Sequence, residues 1–222
     1  MAFSFRSRLK NIFGALQWEA KKLNPSFRAR WREHVDFDAR YGVSTLEPVQ
    51  LGELGFSPEG DCYWYESTEP WVFADAVKAL PPDLSDYHWI DLGCGKGRIL
   101  LMASMLKLRR VTGVELSPIL CQVARDNLSC FSRAVTQSVE CVQGDAAEFA
   151  FPTEGALVVS LYNSFGPKVL RGALRNLLLQ HTGEREVYFL YINPKHRDVL
   201  EETRRFESVR ITEKFELFRR VN

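Results

Sequence analysis

With 222 residues and 45% apolar side chains, the chain can fill one core without staples. Its 29 basic residues face 28 acidic ones, which excludes a polycation that coats nucleic acid with its whole surface. Five cysteines, at positions 62, 94, 121, 130 and 141, form no CxxC pair and the four histidines show no HxxxH spacing, so a reducing compartment and no metal site are expected. The longest apolar run near the N-terminus, IFGAL, is too short for a secretory segment, and nothing approaches the roughly 20 residues of a membrane span, so the expected location is cytoplasmic.

Residues 1–40 are rich in Arg and Lys and read as a basic arm, helical in part. Phe5, Leu9, Ile12, Phe13 and Leu16 suit an amphipathic flap laid on the main body, while the charge of residues 1–35 equally suits an acidic partner, RNA or anionic lipid. An Arg-rich, acid-poor start also has the composition of an organelle transit peptide. After a turn-rich passage from Tyr41 to Asp61, the stretch YWYESTEPWVFADAVKALPPD predicts a helix with Thr68 as N-cap, Pro70 in its first turn, and Pro81 and Pro82 ending it.

From there strand and helix alternate. The expected strands are 88–92, 110–116, 138–143, 156–162 and 185–192. RILLMASMLK is apolar on most sides, as a helix sandwiched against a sheet must be. ELSP supplies Ser117 as an N-cap and Pro118 at the first helical position. PKVLRGALRNLLLQHTG puts Val169, Leu170, Ala173, Leu174, Leu177 and Leu178 on one stripe before Gly183 stops it, and Asn193 and Pro194 open the next helix. The last segment, FESVRITEKFELFRRVN, has two strand-like runs separated by too little chain for a helix, which predicts a hairpin. The fold class is therefore α/β: a doubly wound, mainly parallel sheet with a C-terminal antiparallel hairpin strand and an N-terminal helical extension.

The first strand runs into an unusual turn, HWIDLGCGKGR. Gly93, Gly95 and Gly97 follow the acid Asp91, and three glycines in five residues are more than a tight strand-to-helix turn requires. A GxGxxG dinucleotide turn would need glycine at Arg98, and Asp91 would repel its pyrophosphate; a P-loop would need glycine at Ile90 and a hydroxyl at Gly97. A ligand carrying adenosine and a positive charge, without phosphate, suits the acid better. Cys94, inside the turn, has no histidine near it in sequence and reads as a small space-filler.

The stretch closely resembles motif I of the class I, seven-stranded S-adenosylmethionine-dependent methyltransferases, acid-x-Gly-x-Gly-x-Gly. That resemblance covers about residues 62–222. It implies a seven-stranded Rossmann-like sheet, S-adenosylmethionine bound by Asp91, Gly93, Gly95 and Gly97, an acid at Glu115 in VTGVELSP for the ribose hydroxyls, and Asp145 with Ala146 in VQGDAAEF at the adenine. On the residues alone, Glu115 could be a helix-start acid and Asp145 a turn cap.

The fourth strand ends SLYNSFGP. Asn163 and Phe165 fit the [D/N]PP[Y/F] segment of amino-directed methyltransferases, and Ser164 departs from it, which weakens the implication of a nitrogen acceptor. Read by itself, Asn163 could be a turn residue ahead of Gly166. YESTEP resembles the Tyr-x-Glu-Thr lid of seven-stranded protein lysine methyltransferases, implying that Tyr65, Glu66 and Thr68 arch over the cofactor. The expectation is then a basic arm and lid-leading segment at 1–61 and a methyltransferase domain at 62–222. In-line methyl transfer would go to an amine, a protein lysine ahead of a small molecule. The alternatives are a cofactor-binding adaptor that uses the arm, or an aminopropyl transferase of the polyamine type.

Overall fold

A computed structural model describes residues 21–57, 60–182 and 185–221. The five expected parallel strands form as β1 (Tyr87–Leu92), β2 (Arg110–Glu115), β3 (Val139–Gln143), β4 (Ala156–Tyr162) and β5 (Val187–Ile192). β6 (Phe206–Ile211) and β7 (Phe215–Arg220) make the hairpin, and the seven strands lie in the order β3-β2-β1-β4-β5-β7-β6. Because β7 pairs antiparallel with both β5 and β6, the hairpin closes the sheet without another crossover helix. Winding reverses between β1 and β4, and the crevice beyond their carboxyl ends is where such sheets take ligands.

Period-two alternation sends residues of one strand to opposite faces. Trp89, Val111, Val158 and Leu190 pack on one side, with α3 (Pro70–Val77), α4 (Arg98–Ser104) and α5 (Pro118–Cys130). Ile90, Leu92, Val159 and Phe189 pack on the other, with α6 (Pro167–Gln180) and α7 (Arg197–Glu202). Every residue of α4 is buried, as its all-round apolar sequence requires.

Three helix boundaries differ from expectation. The N-cap of α3 is Glu69, not Thr68, and the helix ends at Val77, before the prolines. α7 starts at Arg197, because Asn193 takes a left-handed φ of 51° and turns the chain before helix can begin. α6 stops at Gln180 with His181 as its cap; the expected stop, Gly183, lies outside the described residues.

The apolar positions of the supposed flap, Phe5 to Leu16, also lie outside them. The described part of the arm contains α1 (Pro25–Val35), capped by the Asn24 side chain, and α2 (Phe37–Tyr41). Phe37 joins the core of the first sheet face, so residues near it share packing with the sheet although the sequence groups them with the arm. No helix among the described residues is long and apolar enough to cross a membrane.

Candidate active site

The turn from β1 into α4 carries its three glycines at φ +69°, +56° and +84°, all left-handed. The amides of Gly93 and Cys94 both donate to the Val114 carbonyl, at 2.8 and 3.0 Å, and fasten the turn to β2. What the missing side chains make room for is protein. A Cβ on Gly95 would lie 2.2 Å from the Tyr65 ring, one on Gly93 2.4 Å from Ser164 Cβ, and one on Gly97 3.2 Å from Ala124 Cβ. Gly93 lies on the wall of the crevice cavity; Gly95 and Gly97, both expected at the cofactor, are not among its lining residues. Tyr65 covers Gly95, and the Lys96 ammonium stands 5.4 Å from the Tyr65 ring centre.

Asp91, Glu115 and Asp145 all line that cavity. Asp91 is 2% exposed; the Ser160 hydroxyl donates to its Oδ1 at 2.5 Å and in turn accepts from the Trp89 indole N–H at 2.8 Å. Burial pushes the Asp91 carboxyl from 3.8 up to about 7, the Ser160 hydroxyl opposing this and the Glu115 charge adding to it. Glu115 accepts from the Gly95 amide on one oxygen and from the Ser117 amide on the other, each at 2.8 Å. Burial raises its carboxyl too, against those two N–H groups and that of Leu116. Asp145 accepts from the Ala147 amide at 2.8 Å, so it caps its turn while facing the cavity beside the buried Ala146.

Arg98 and Lys195 are the cations among the described residues on this wall. The Arg98 guanidinium is consumed elsewhere: it pairs with Asp38 at 2.9 Å, donates to Thr45 Oγ1 at 2.6 Å and to the His34 carbonyl at 3.2 Å, and lies over the Phe37 ring. Burial and this cation together lower His34 to about 4, which leaves Nδ1 neutral to accept from the guanidinium at 3.1 Å. A wall with five acidic side chains, Asp61, Glu66, Asp91, Glu115 and Asp145, against Lys195 and the committed Arg98 suits a cationic, hydroxyl-bearing ligand and rejects a polyphosphate.

The segment ahead of α3 closes the cavity. Tyr65 donates from its hydroxyl to the Thr45 carbonyl at 2.6 Å and pairs as an isolated bridge with Val49; Thr68 is 3% exposed and lines the wall. Glu66 is exposed at the rim, where its carboxylate accepts from the Tyr162 hydroxyl at 3.3 Å. Tyr63 donates its backbone amide to the Ser164 carbonyl at 3.0 Å, and Cys62 bridges Phe165. Asp61 reaches furthest: its Oδ2 accepts from the Val169 amide at 2.9 Å in the first turn of α6, whose own N-cap, Gly166, has no side chain to offer. A Cβ on Gly166 would sit 1.9 Å from Asp61 Oδ1.

At the end of β4, Asn163 is 7% exposed with φ 41°, a conformation that asparagine tolerates, and faces the cavity beside Phe165. The Tyr191 hydroxyl donates to Asn163 Oδ1 at 3.1 Å. Sequence reasoning missed Tyr191, because a tyrosine in an apolar strand reads as core, and it missed Arg98, Asp61 and His196, whose respective partners Asp38, Val169 and Tyr63 lie 60 to 133 residues away. It missed Tyr162 as well, although SLYN ended a strand whose next residue was already under suspicion.

Residues 90–183 match a protein family described as a methyltransferase domain. Residues 90–183 carry a methyltransferase domain. No curated protein matches its sequence. Among solved structures, a glycopeptide N-methyltransferase complexed with S-adenosylmethionine superposes on the methyltransferase domain with a TM-score of 0.54 and 14% identity, over 68% of this chain and 92% of that one. Precorrin-6y C5,15-methyltransferase from Geobacter metallireducens gives 0.51 and 16%, over 70% and 90%. Precorrin 8W decarboxylase from Methanobacterium thermoautotrophicum gives 0.51 and 17%, over 71% and 93%. At such identities the likeness is one of fold. The wall fits S-adenosylmethionine, the ligand of that glycopeptide N-methyltransferase: Asp91 is a buried carboxyl with no cation paired to it among the described residues, a state that a positively charged ligand would relieve.

Proposed function

We propose that this methyltransferase acts on an amine nitrogen, a protein lysine ahead of a small molecule, with Asn163 as the acceptor-side residue and Phe165 beside it. The observation that carries the reading is the chemistry around Asn163. Tyr63, Trp64, Tyr162 and Phe165 line the same cavity, and Glu66 stands at its rim. Aromatic faces attract an ammonium and a carboxylate draws it in. Lys195 is also on the wall and would repel a cation, so the Glu66 side is the proposed way in.

When bound, S-adenosylmethionine supplies an electrophilic methyl on a sulfonium, with a neutral thioether as leaving group. What the chain must do is bare the acceptor's lone pair. A lysine ammonium of pKa near 10.4 loses its proton at pH 7 at a cost of about 4.6 kcal/mol, from about 3.4 pH units at 1.36 kcal/mol each. Aromatic walls that exclude water reduce that cost, because desolvation disfavours the charged form. Asn163 Oδ1 keeps a lone pair beyond the one used by Tyr191 and can accept an N–H of the neutral amine, aiming its lone pair for in-line displacement. On the cofactor side, Asp91, Glu115 and Asp145 are the proposed contacts of the cation, the ribose and the adenine, with Gly93, Thr68 and Ala146 on the wall and Tyr65 over the turn.

The test incubates the protein with methyl-labelled cofactor and either whole or deproteinised cell extract. Label should stay with acid-precipitated protein and appear as methylated lysine after hydrolysis. Label confined to an RNA or small-molecule fraction refutes the lysine acceptor. A turnover that stays flat from pH 7 to 9, together with a fully active Asn163→Ala protein, refutes the amine.

A further inference from the structure

We infer that Tyr191 is the positioning residue that aims the Asn163 amide, and that His196 ties this orientation to the lid; the inference rests on the role proposed for Asn163. Tyr191 sits at the fifth position of β5, fully buried, and its hydroxyl makes two hydrogen bonds of opposite sense. It accepts from the His196 backbone N–H at 3.3 Å and donates to Asn163 Oδ1 at 3.1 Å. A backbone N–H can only donate, so one lone pair of the Tyr191 oxygen is committed and its proton points at Asn163. That settles which end of the amide faces Tyr191. With Nδ2 there instead, two donors would crowd the phenol oxygen and its own proton would have no partner.

The other end of the chain of bonds is in the lid. The His196 ring nitrogen Nε2 lies 3.0 Å from the Tyr63 hydroxyl, with the two rings nearly parallel at 13°. Tyr63 lines the cavity and fixes its own amide on the Ser164 carbonyl, one residue beyond Asn163. Asn163, Tyr191, His196 and Tyr63 thus form one connected path from the acceptor residue to the lid, through three separate segments of chain. A side-chain amide with a left-handed backbone and no such partner would rotate about its terminal torsion, which is broad and two-fold. The Tyr191 hydroxyl holds one setting of it.

The experiment compares Asn163→Ala, Asn163→Asp, Tyr191→Phe and the double variant Asn163→Ala with Tyr191→Phe. It reads acid-precipitable label from methyl-labelled cofactor and whole-cell extract, and cofactor affinity by calorimetry. Tyr191→Phe keeps the ring and its packing; it should lower turnover about tenfold or more while cofactor affinity stays within about twofold. On top of Asn163→Ala it should change turnover less than twofold, because both changes remove the same contact. Asn163→Asp retains an oxygen for Tyr191 and should keep turnover within about tenfold of wild type. Normal turnover in Tyr191→Phe, additive effects in the double variant, or Asn163→Asp as inactive as Asn163→Ala each overturn the inference while leaving the amine reading in place. If Asn163→Ala is fully active, the role proposed for Asn163 fails and takes the inference with it; if wild type labels only a small-molecule or RNA fraction, the lysine acceptor fails and the same variants are read on that fraction, with the same outcomes deciding the inference.

Discussion

Asp91 carries the charge logic of the site. A carboxyl pushed to about 7 is largely protonated below that pH in the empty protein, and a bound cation favours its ionised form. Binding S-adenosylmethionine therefore releases a proton, and affinity should rise with pH up to about 7 and level off above it. Calorimetry between pH 5.5 and 8.5 checks this, and Asp91→Asn should flatten the dependence and weaken binding at pH 8. The same carboxyl has the opposite effect on the empty fold. Its folded value stands above its ordinary 3.8, so the native state holds the proton more tightly. Its stabilising contribution is present below pH 4 and is lost as pH rises through 7. Asp91→Asn should thus make the empty protein more stable to urea at pH 8, by up to about 4 kcal/mol, while impairing ligand binding. Gly95 gives a second residue-scale test. Gly95→Ala puts a Cβ into the Tyr65 ring at a left-handed φ and should cost roughly 1 to 3 kcal/mol in a melting experiment. Tyr65→Ala should cost less in that background than in wild type, because the clash has gone with the ring.

Among the elements, α4 is held from outside its own neighbourhood. Arg98 in its first turn is 2% exposed and depends on Asp38 of α2, which also accepts from the Thr45 and Leu46 amides at 2.6 and 2.7 Å. Burial alone would raise the Asp38 carboxyl, but those partners and Arg98 hold it below its ordinary value. Asp38→Ala leaves a guanidinium buried without its counter-charge and should cost about 3 to 5 kcal/mol in urea unfolding. Truncation should show the same dependence. Removing residues 1–23 should leave cofactor affinity within about threefold, since the lining residues begin at Leu54. Removing residues 1–46 takes away Phe37, Asp38 and Thr45 together and should abolish cooperative unfolding, as read by circular dichroism.

Across the whole molecule, what was legible in the sequence was what is local. Strand periodicity, the Ser117–Pro118 helix start, the hairpin and the acid at each of the first three strand ends all depend on residues a few positions apart, and the sheet forms as they predict. Contacts between distant segments were not legible. Three glycines announced a turn in need of space, but only the fold reveals that Tyr65, Ser164 and Ala124 fill it. Arg98 read as the residue that breaks a dinucleotide motif, and nothing in GKGR says that its partners are His34, Asp38 and Thr45. One of these long-range contacts bears on the timing of turnover. Because Asp61, at the end of the segment leading into the proposed lid, supplies the cap of α6, any motion that lifts residue 61 also strips the first turn of that helix of its partner. Such a loss is worth about 1 kcal/mol. If the proposed lid opens with residue 61 to admit a ligand, entry of one substrate and firmness of the loop that receives the other become mutually exclusive moments of a cycle, with Asp61 as the link between them.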